Sequence, residues 1–289
     1  MNLLSYGDSI PYGDYRLHSV FERAVNFSKG PLVVSLVTPG SGAGPLNLVL
    51  RRLPTAAGKL RATRSAFYLD ARRLPKARAA KYNSSVPQAC VSPALVRRNV
   101  RALKAFLSTG SPQKSMCFIF SSRPPGPRRG FESKMRLSME KAVGMLRAGE
   151  YGRGAEKLRG LGYGLTPSGD DFLSGMLVGL NFSGGSLGRD TKMAARRLYA
   201  NSRGANPISN SSLRCSYRGL ITKKIKRLMR AVCAADRREL LRAAAGALKS
   251  GHTSGADFCA GLVFSLSEAV AGGNTPAAPA RGRITGENK

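Results

Sequence analysis

Three carboxylates and an imidazole sit in two short stretches that repeat each other. Thr166-Pro-Ser-Gly-Asp-Asp-Phe-Leu-Ser-Gly175 aligns without gaps on His252-Thr-Ser-Gly-Ala-Asp-Phe-Cys-Ala-Gly261. Ser168/Ser254, Gly169/Gly255, Asp171/Asp257, Phe172/Phe258 and Gly175/Gly261 are identical. The chain has only 16 acidic residues and two histidines, so the gathering of Asp170, Asp171, Asp257 and His252 in these motifs concentrates its scarce acid–base groups. Carboxylates and an imidazole are the usual proton acceptors and donors of general acid–base chemistry. Upstream of the first motif, Gly160-Leu-Gly-Tyr-Gly164 is glycine-rich enough for backbone N–H groups to converge on an anion.

A plainer reading stands beside this one. Ser followed three residues later by Asp is a capping arrangement, in which each side chain satisfies an orphaned N–H of a helix's first turn. On that reading Asp171 and Asp257 are caps, and Gly175, Gly179 and Gly261 are places where a partner backbone comes close. If the two helices pack side by side, both loops meet in one pocket. Its candidate substrate-binding residues are then Gly162, Gly164, Thr166, Ser168, Gly169, Asp171, Ser254, Gly255 and Asp257, with Asp170 and His252 as the catalytic pair. A helix N-terminus favours an anion, but Asp170 and Asp171 occupy the turn where one would dock. A phosphate must therefore lie to one side, on the glycine loop or on Arg side chains, or be bridged by a divalent cation. Asp170 is left to act as a base.

The elements that must position these residues fall into two kinds. From about residue 15 to 75, short β-branched and aromatic runs (LHSVFERAVNF, PLVVSLVT, LNLVL, RSAFYLD) are separated by Gly- and Pro-containing breaks, the pattern of a small antiparallel β domain or barrel. Residues 71–92 read as a connection, 93–107 as a helix opened by Pro93, and 116–122 as one more buried strand. RPPGPRRGF at 123–131 is a breaker. Beyond it the spacing predicts helices over 135–147, 150–161, 172–180, 191–202, 208–217, 220–233, 237–248 and 257–271. The expected fold is therefore α+β. A β-rich part with a connecting helix spans 1–122, a helical part spans 132–271, and 272–289 is a disordered tail.

Composition narrows the classes further. Of 289 residues, 47 are Lys or Arg, giving a formal net charge of +31, yet 42% are hydrophobic, which excludes wholesale disorder. So basic a chain suggests polyanionic partners. The charge is spread, however, with 12 basic residues in 1–80, 16 in 81–160 and 19 in 161–289. The densest run, Lys223 to Arg230, repeats at helical spacing with Ile225, Leu228 and Met229 on the other side, as a solvated helix face would. No apolar run approaches the ~20 residues of a membrane helix, and the first residues lack a signal-peptide pattern. Five scattered cysteines without CxxC spacing indicate neither disulfides nor a zinc site and point to a reducing, cytoplasmic setting.

GLGYGLTPSGDDFLSGMLVGL (160–180) resembles the signature of the AllH-like family, and GHTSGADFCAGLV (251–263) is similar to its second signature. His18-Ser-Val-Phe-Glu-Arg-Ala-Val-Asn26, the Gly44-Pro45-Leu46-Asn47 turn and Pro207-Ile208-Ser209 leading to Leu213 and Gly219 extend the resemblance over roughly residues 16–270. The resemblance implies a subunit that, with two others, transfers a carbamoyl group between carbamoyl phosphate and oxamate. It also implies a small anionic substrate and a hetero-oligomer. In that chemistry the N–H groups of Gly162 to Gly164 would serve the anion, Asp170 the proton, and His252 the carbonyl or phosphate. A basic nucleic-acid-binding protein and a non-catalytic assembly subunit are the alternatives on the same frame.

Overall fold

A computed structural model describes residues 2–121 and 130–271. Most of the breaker at 123–131 and the tail at 272–289 lie outside the described residues.

Nine strands form one sheet: β1 (Leu3–Gly7), β2 (Gly13–Phe21), β3 (Ala24–Lys29), β4 (Leu32–Val37), β5 (Asn47–Leu50), β6 (Lys59–Ala62), β7 (Ala66–Leu69), β8 (Arg72–Pro75) and β9 (Ala80–Tyr82). Their order is β8-β7-β6-β2-β3-β4-β5-β1-β9. Neighbours are antiparallel except β4 with β5 and β1 with β9, so the sheet is mixed where an antiparallel one was expected. It curls strongly. The rings of Tyr6 on β1 and Phe67 on β7 lie 5.6 Å apart although five strands separate them in the sheet. That curl encloses a core of Tyr15, Phe27, Leu36, Leu48, Leu60 and neighbours from almost every strand. The sheet nevertheless keeps two edges, β8 and β9, which carry Arg72, Arg73 and Lys81, charges that discourage edge-to-edge pairing. Strands β8 and β9 fall in the 71–92 stretch read as a connection, because runs of three or four residues rich in Arg, Lys and Ala carry too little period-two signal.

The rest of the described residues form mainly helices: α1 (Pro93–Gly110), α2 (Phe131–Arg147), α3 (Tyr151–Leu158), α4 (Ser168–Ser186), α5 (Lys192–Ser202), α6 (Pro207–Tyr217), α7 (Lys223–Val232), α8 (Arg237–Leu248) and α9 (Ser254–Ala271). Residues Met116–Phe120, expected as a strand, form a 3-10 helix. A short apolar run does not distinguish a strand from a buried helical turn. Here the run packs with α1 and α9 in the helical core.

Helices α4 and α9, which carry the repeated motifs, are the centre of that core, and most residues around their circumference are buried. They pack side by side, as close approach through glycine predicts. A Cβ on Gly175 would overlap the Phe258 carbonyl oxygen, and one on Gly261 would overlap the Phe172 carbonyl oxygen. The contact is reciprocal, each motif's glycine resting on the other motif's phenylalanine. α7 turns Ile225, Leu228 and Met229 inward as its basic face requires. Sheet and helices are cross-linked through polar backbone groups. The Val33 N–H donates to Ser211 Oγ at 2.8 Å, the Ile221 N–H to Ser84 O at 2.8 Å, and the Lys223 N–H to Ala43 O at 2.8 Å.

Candidate functional site

A cavity of about 300 Å³ opens where the sheet meets the first turns of four helices. Asp171 comes from α4, Ile208 from α6, Thr222 and Ile225 from the start of α7, and Ser254, Gly255 and Phe258 from α9. Ser35 of β4 and Asn47 of β5 come from the sheet. Local sequence explains why helices begin here. Asn206 caps α6 by accepting from the Ile208 and Ser209 N–H groups at 3.0 and 3.2 Å, ahead of Pro207, and its amide donates to Leu165 O at 2.7 Å. Thr222 caps α7 through the Ile225 N–H at 3.5 Å. The Gly44-Pro45-Leu46-Asn47 turn is held against β1, where a Cβ on Gly7 would overlap the Pro45 carbonyl.

Asp171 and Asp257 do different work from the caps that the sequence suggests, and Asp170 bonds the glycine-rich stretch. Asp171 Oδ2 accepts the Thr166 hydroxyl at 2.7 Å, and Thr166 Oγ1 lies 2.9 Å from Ser254 Oγ, so the two repeated motifs meet through hydroxyls at the cavity wall. Burial holds the Asp171 carboxyl well above the usual carboxylate range. The Thr166 and Ser254 hydroxyls oppose that rise, and the nearby Asp257 and Asp170 add to it. Asp170 points away from the cavity, its Oδ1 accepting the Gly160 N–H at 2.7 Å. Burial raises its pKa, against the Gly160 N–H and the Ser209 hydroxyl.

Asp257 is fully buried, and its Oδ1 accepts the Met116 N–H at 2.6 Å. Burial pushes it up to about 6, opposed by the Met116 N–H and the hydroxyls of Ser168 and Thr253. Those hydroxyls lie close enough to favour the anion electrostatically, but neither meets hydrogen-bond geometry, so Oδ2 and Ser168 Oγ are left without a bond. The capping reading is therefore corrected at both positions. α4 starts at Ser168 after Pro167 with no side-chain cap, Asp171 bonds Thr166, and Asp257 bonds the 3-10 segment. In a buried first turn the carboxylates satisfy donors of other segments that water cannot reach.

Among the other expected site residues, Ser254, Gly255 and Asp171 line the cavity, with Thr166 hydrogen-bonded behind them. Gly162 and Gly164 have left-handed backbones (φ 118° and 94°) and do not line it, and a Cβ on Gly162 would press on Ser168. Gly169 and Gly255 serve close backbone approach, against the carbonyls of Leu158 and Ala247. His252 is exposed and away from the cavity lining, and Gly169, Ser168, Asp170 and Asp257 also lie outside it. Among the described residues no group of three or more His, Cys, Asp or Glu side chains is placed to hold a metal ion.

Sequence reading missed the sheet's share of the site. Ser19, Asn26, Ser35 and Asn47 are register partners across β2, β3, β4 and β5 and form one polar row ending in the cavity. The available signal was a lone polar residue inside an apolar run, as Ser35 is within Leu-Val-Val-Ser-Leu-Val.

A curled mixed sheet joined to a helical bundle defines an α+β architecture with a hydroxyl-rich cavity at the junction. Residues 158–266, from the end of α3 through most of α9, match the model of the family described as oxamate carbamoyltransferase subunit AllH, and over this stretch the chain is AllH-like. No curated protein and no solved structure matches the chain. Among the described residues no helix is long and apolar enough to cross a membrane.

Proposed function

We propose that the chain is the AllH-type subunit of a carbamoyltransferase, and that it passes a carbamoyl group between carbamoyl phosphate and oxamate, or a related small amide, in complex with partner subunits. The observation that carries this reading is that the AllH-like stretch supplies every helix start around the cavity. In the transfer, the acceptor's amide nitrogen attacks the carbamoyl carbon. The new N–C bond forms as the C–O bond to phosphate breaks, phosphate leaves with the electron pair, and the amide proton must be taken up. Asp171 is a carboxylate on the cavity, and the rise that burial gives its pKa makes its ionised form a stronger proton acceptor. Asp170 and His252 are not among the residues that line the cavity, so this reading gives the proton to Asp171. Among the described residues the lining includes no Lys, Arg or His to pair with the phosphate of the donor. In this reading the partner subunits supply that cation, in keeping with an activity that needs several chains.

The test is carbamoyl transfer from labelled carbamoyl phosphate to oxamate by the chain reconstituted with its partner subunits. Asp171→Asn should lower turnover by about a hundredfold or more with the fold intact, the scale of losing a general base. Full turnover by that variant removes Asp171 from the mechanism, and absence of transfer by the wild-type complex removes the function. A second reading, binding of nucleic acid, has one observation in its favour. Arg51, Arg52 and Arg72 line a surface cleft to which no Asp or Glu among the described residues contributes.

A further inference from the structure

Resting on the reading of the cavity as an amide-substrate site, we propose that the sheet sets its selectivity. Asn26 acting through Ser35, together with the Ser254–Thr166–Asp171 chain, presents fixed hydrogen-bond acceptors that take the N–H₂ edge of a carboxamide and turn away a carboxylate in the same place.

A serine hydroxyl has one proton and two lone pairs, so a serine whose proton is committed elsewhere offers a ligand only acceptors. Ser35 Oγ donates to Asn26 Oδ1 at 2.7 Å, while the Asn26 amide donates to Ser19 Oγ at 3.0 Å. Asn26 is 3% exposed and sits between its register partners Ser19 and Ser35, with its carbonyl toward Ser35 and its amide N–H₂ toward Ser19. On the other side of the cavity the same logic holds by a different route. The single proton of Thr166 goes to Asp171, so in the contact with Ser254 it is Ser254 that donates. Of the seven serines that line the cavity, Ser35 and Ser254 thus face the ligand with lone pairs. A carboxylate against the Ser35 and Ser254 hydroxyls would meet like partial charges, and none of the described lining residues is Lys, Arg or His, whereas an amide N–H₂ has two donors to give. Thr222, which accepts the Ile225 N–H, keeps its own proton and can donate to another part of the same ligand.

Asn26 is a positioning residue, outside the AllH-like stretch and behind the cavity wall, so its role is read in ligand preference and not in stability. Oxamate and oxalate differ by N–H₂ against a carboxylate oxygen. Propionamide and propionate differ in the same way but have no part in carbamoyl transfer. Titration of the full chain with each of the four, by calorimetry or ligand-observed NMR, should show the amide preferred in both pairs by about tenfold or more. Asn26→Ala and Ser35→Ala should bring that ratio towards one, and Asn26→Asp, which still accepts from Ser35, should keep it. Equal or tighter binding of the carboxylates, a ratio unmoved in both alanine variants, or no binding of any of the four overturns the proposal. Preference for propionamide over propionate with no binding of oxamate leaves it standing and removes the oxamate reading instead.

Discussion

Replacing Asp257 by Asn should stabilise the protein at neutral and alkaline pH. The carboxyl is fully buried, accepts one N–H from Met116, and leaves its second oxygen without a hydrogen bond. Its pKa rises from the ordinary 3.8 to about 6 in the fold. The native state therefore binds this proton more tightly than the unfolded chain. The stabilisation is complete below the unfolded value and is lost as pH rises through the folded one. A rise of about two units at 1.36 kcal/mol each corresponds to about 3 kcal/mol between pH 4 and pH 8. The Asn side chain keeps an oxygen for Met116 and places an N–H₂ beside the hydroxyls of Ser168 and Thr253, which can accept from it. It does not ionise. Urea denaturation of both proteins at intervals from pH 4 to pH 8 should show the variant gaining on the wild type by about 2–3 kcal/mol across that range, most of it between pH 4 and 6.5. A difference that does not change with pH, or a variant less stable than wild type at pH 8, would refute the assignment of Asp257 as a buried anion short of partners.

The two remaining predictions concern helix packing and surface charge. Gly261→Ala puts a methyl group into the Phe172 carbonyl, a backbone atom that cannot turn aside, so α4 and α9 must separate. A loss of about 1–3 kcal/mol in thermal or chemical unfolding is expected, against under 1 kcal/mol for Gly246→Ala, where nothing lies within 4 Å of the new Cβ. Should the Arg51, Arg52 and Arg72 cleft take nucleic acid, duplex DNA affinity will fall with salt at a slope of about −0.9 per phosphate neutralised, and replacing the three arginines will flatten it. Duplex binding that does not change with salt, or none at modest ionic strength, removes that reading.

Much of the helical half was legible in the sequence because its signals are local. Pro93, Asn206-Pro207, Thr222 and Asp236 start helices through their own side chains or ring geometry, and the starts expected there fall within a few residues of those observed. The repeated motif marked two helices whose glycines, Gly175 and Gly261, seven residues beyond their respective serines, admit a close backbone, and the structure sets those two helices against each other. What local pattern concealed was the destination of the polar atoms. Serine and aspartate three apart suit a cap, and an exposed helix would use them so. In a buried first turn, Asp257 is drawn to Met116, 141 residues away, and Asp171 to the hydroxyl of Thr166. The short Arg-rich strands β8 and β9 were hidden for the opposite reason, having almost no pattern of their own and existing because a neighbouring strand supplies their hydrogen bonds.

The chain's residue order by itself determined an α+β protein with two matched helix starts rich in carboxylates, because helix signals, turn residues and apolar periods act over a few residues. Only the tertiary structure decided which of those carboxylates face a cavity. Asp171 does, Asp170 and Asp257 do not, and the cavity's other wall comes from Ser35 and Asn47 of a sheet more than a hundred residues upstream. Side-chain direction in a buried turn is set by whichever donors the fold brings within hydrogen-bond reach, and that information is not local.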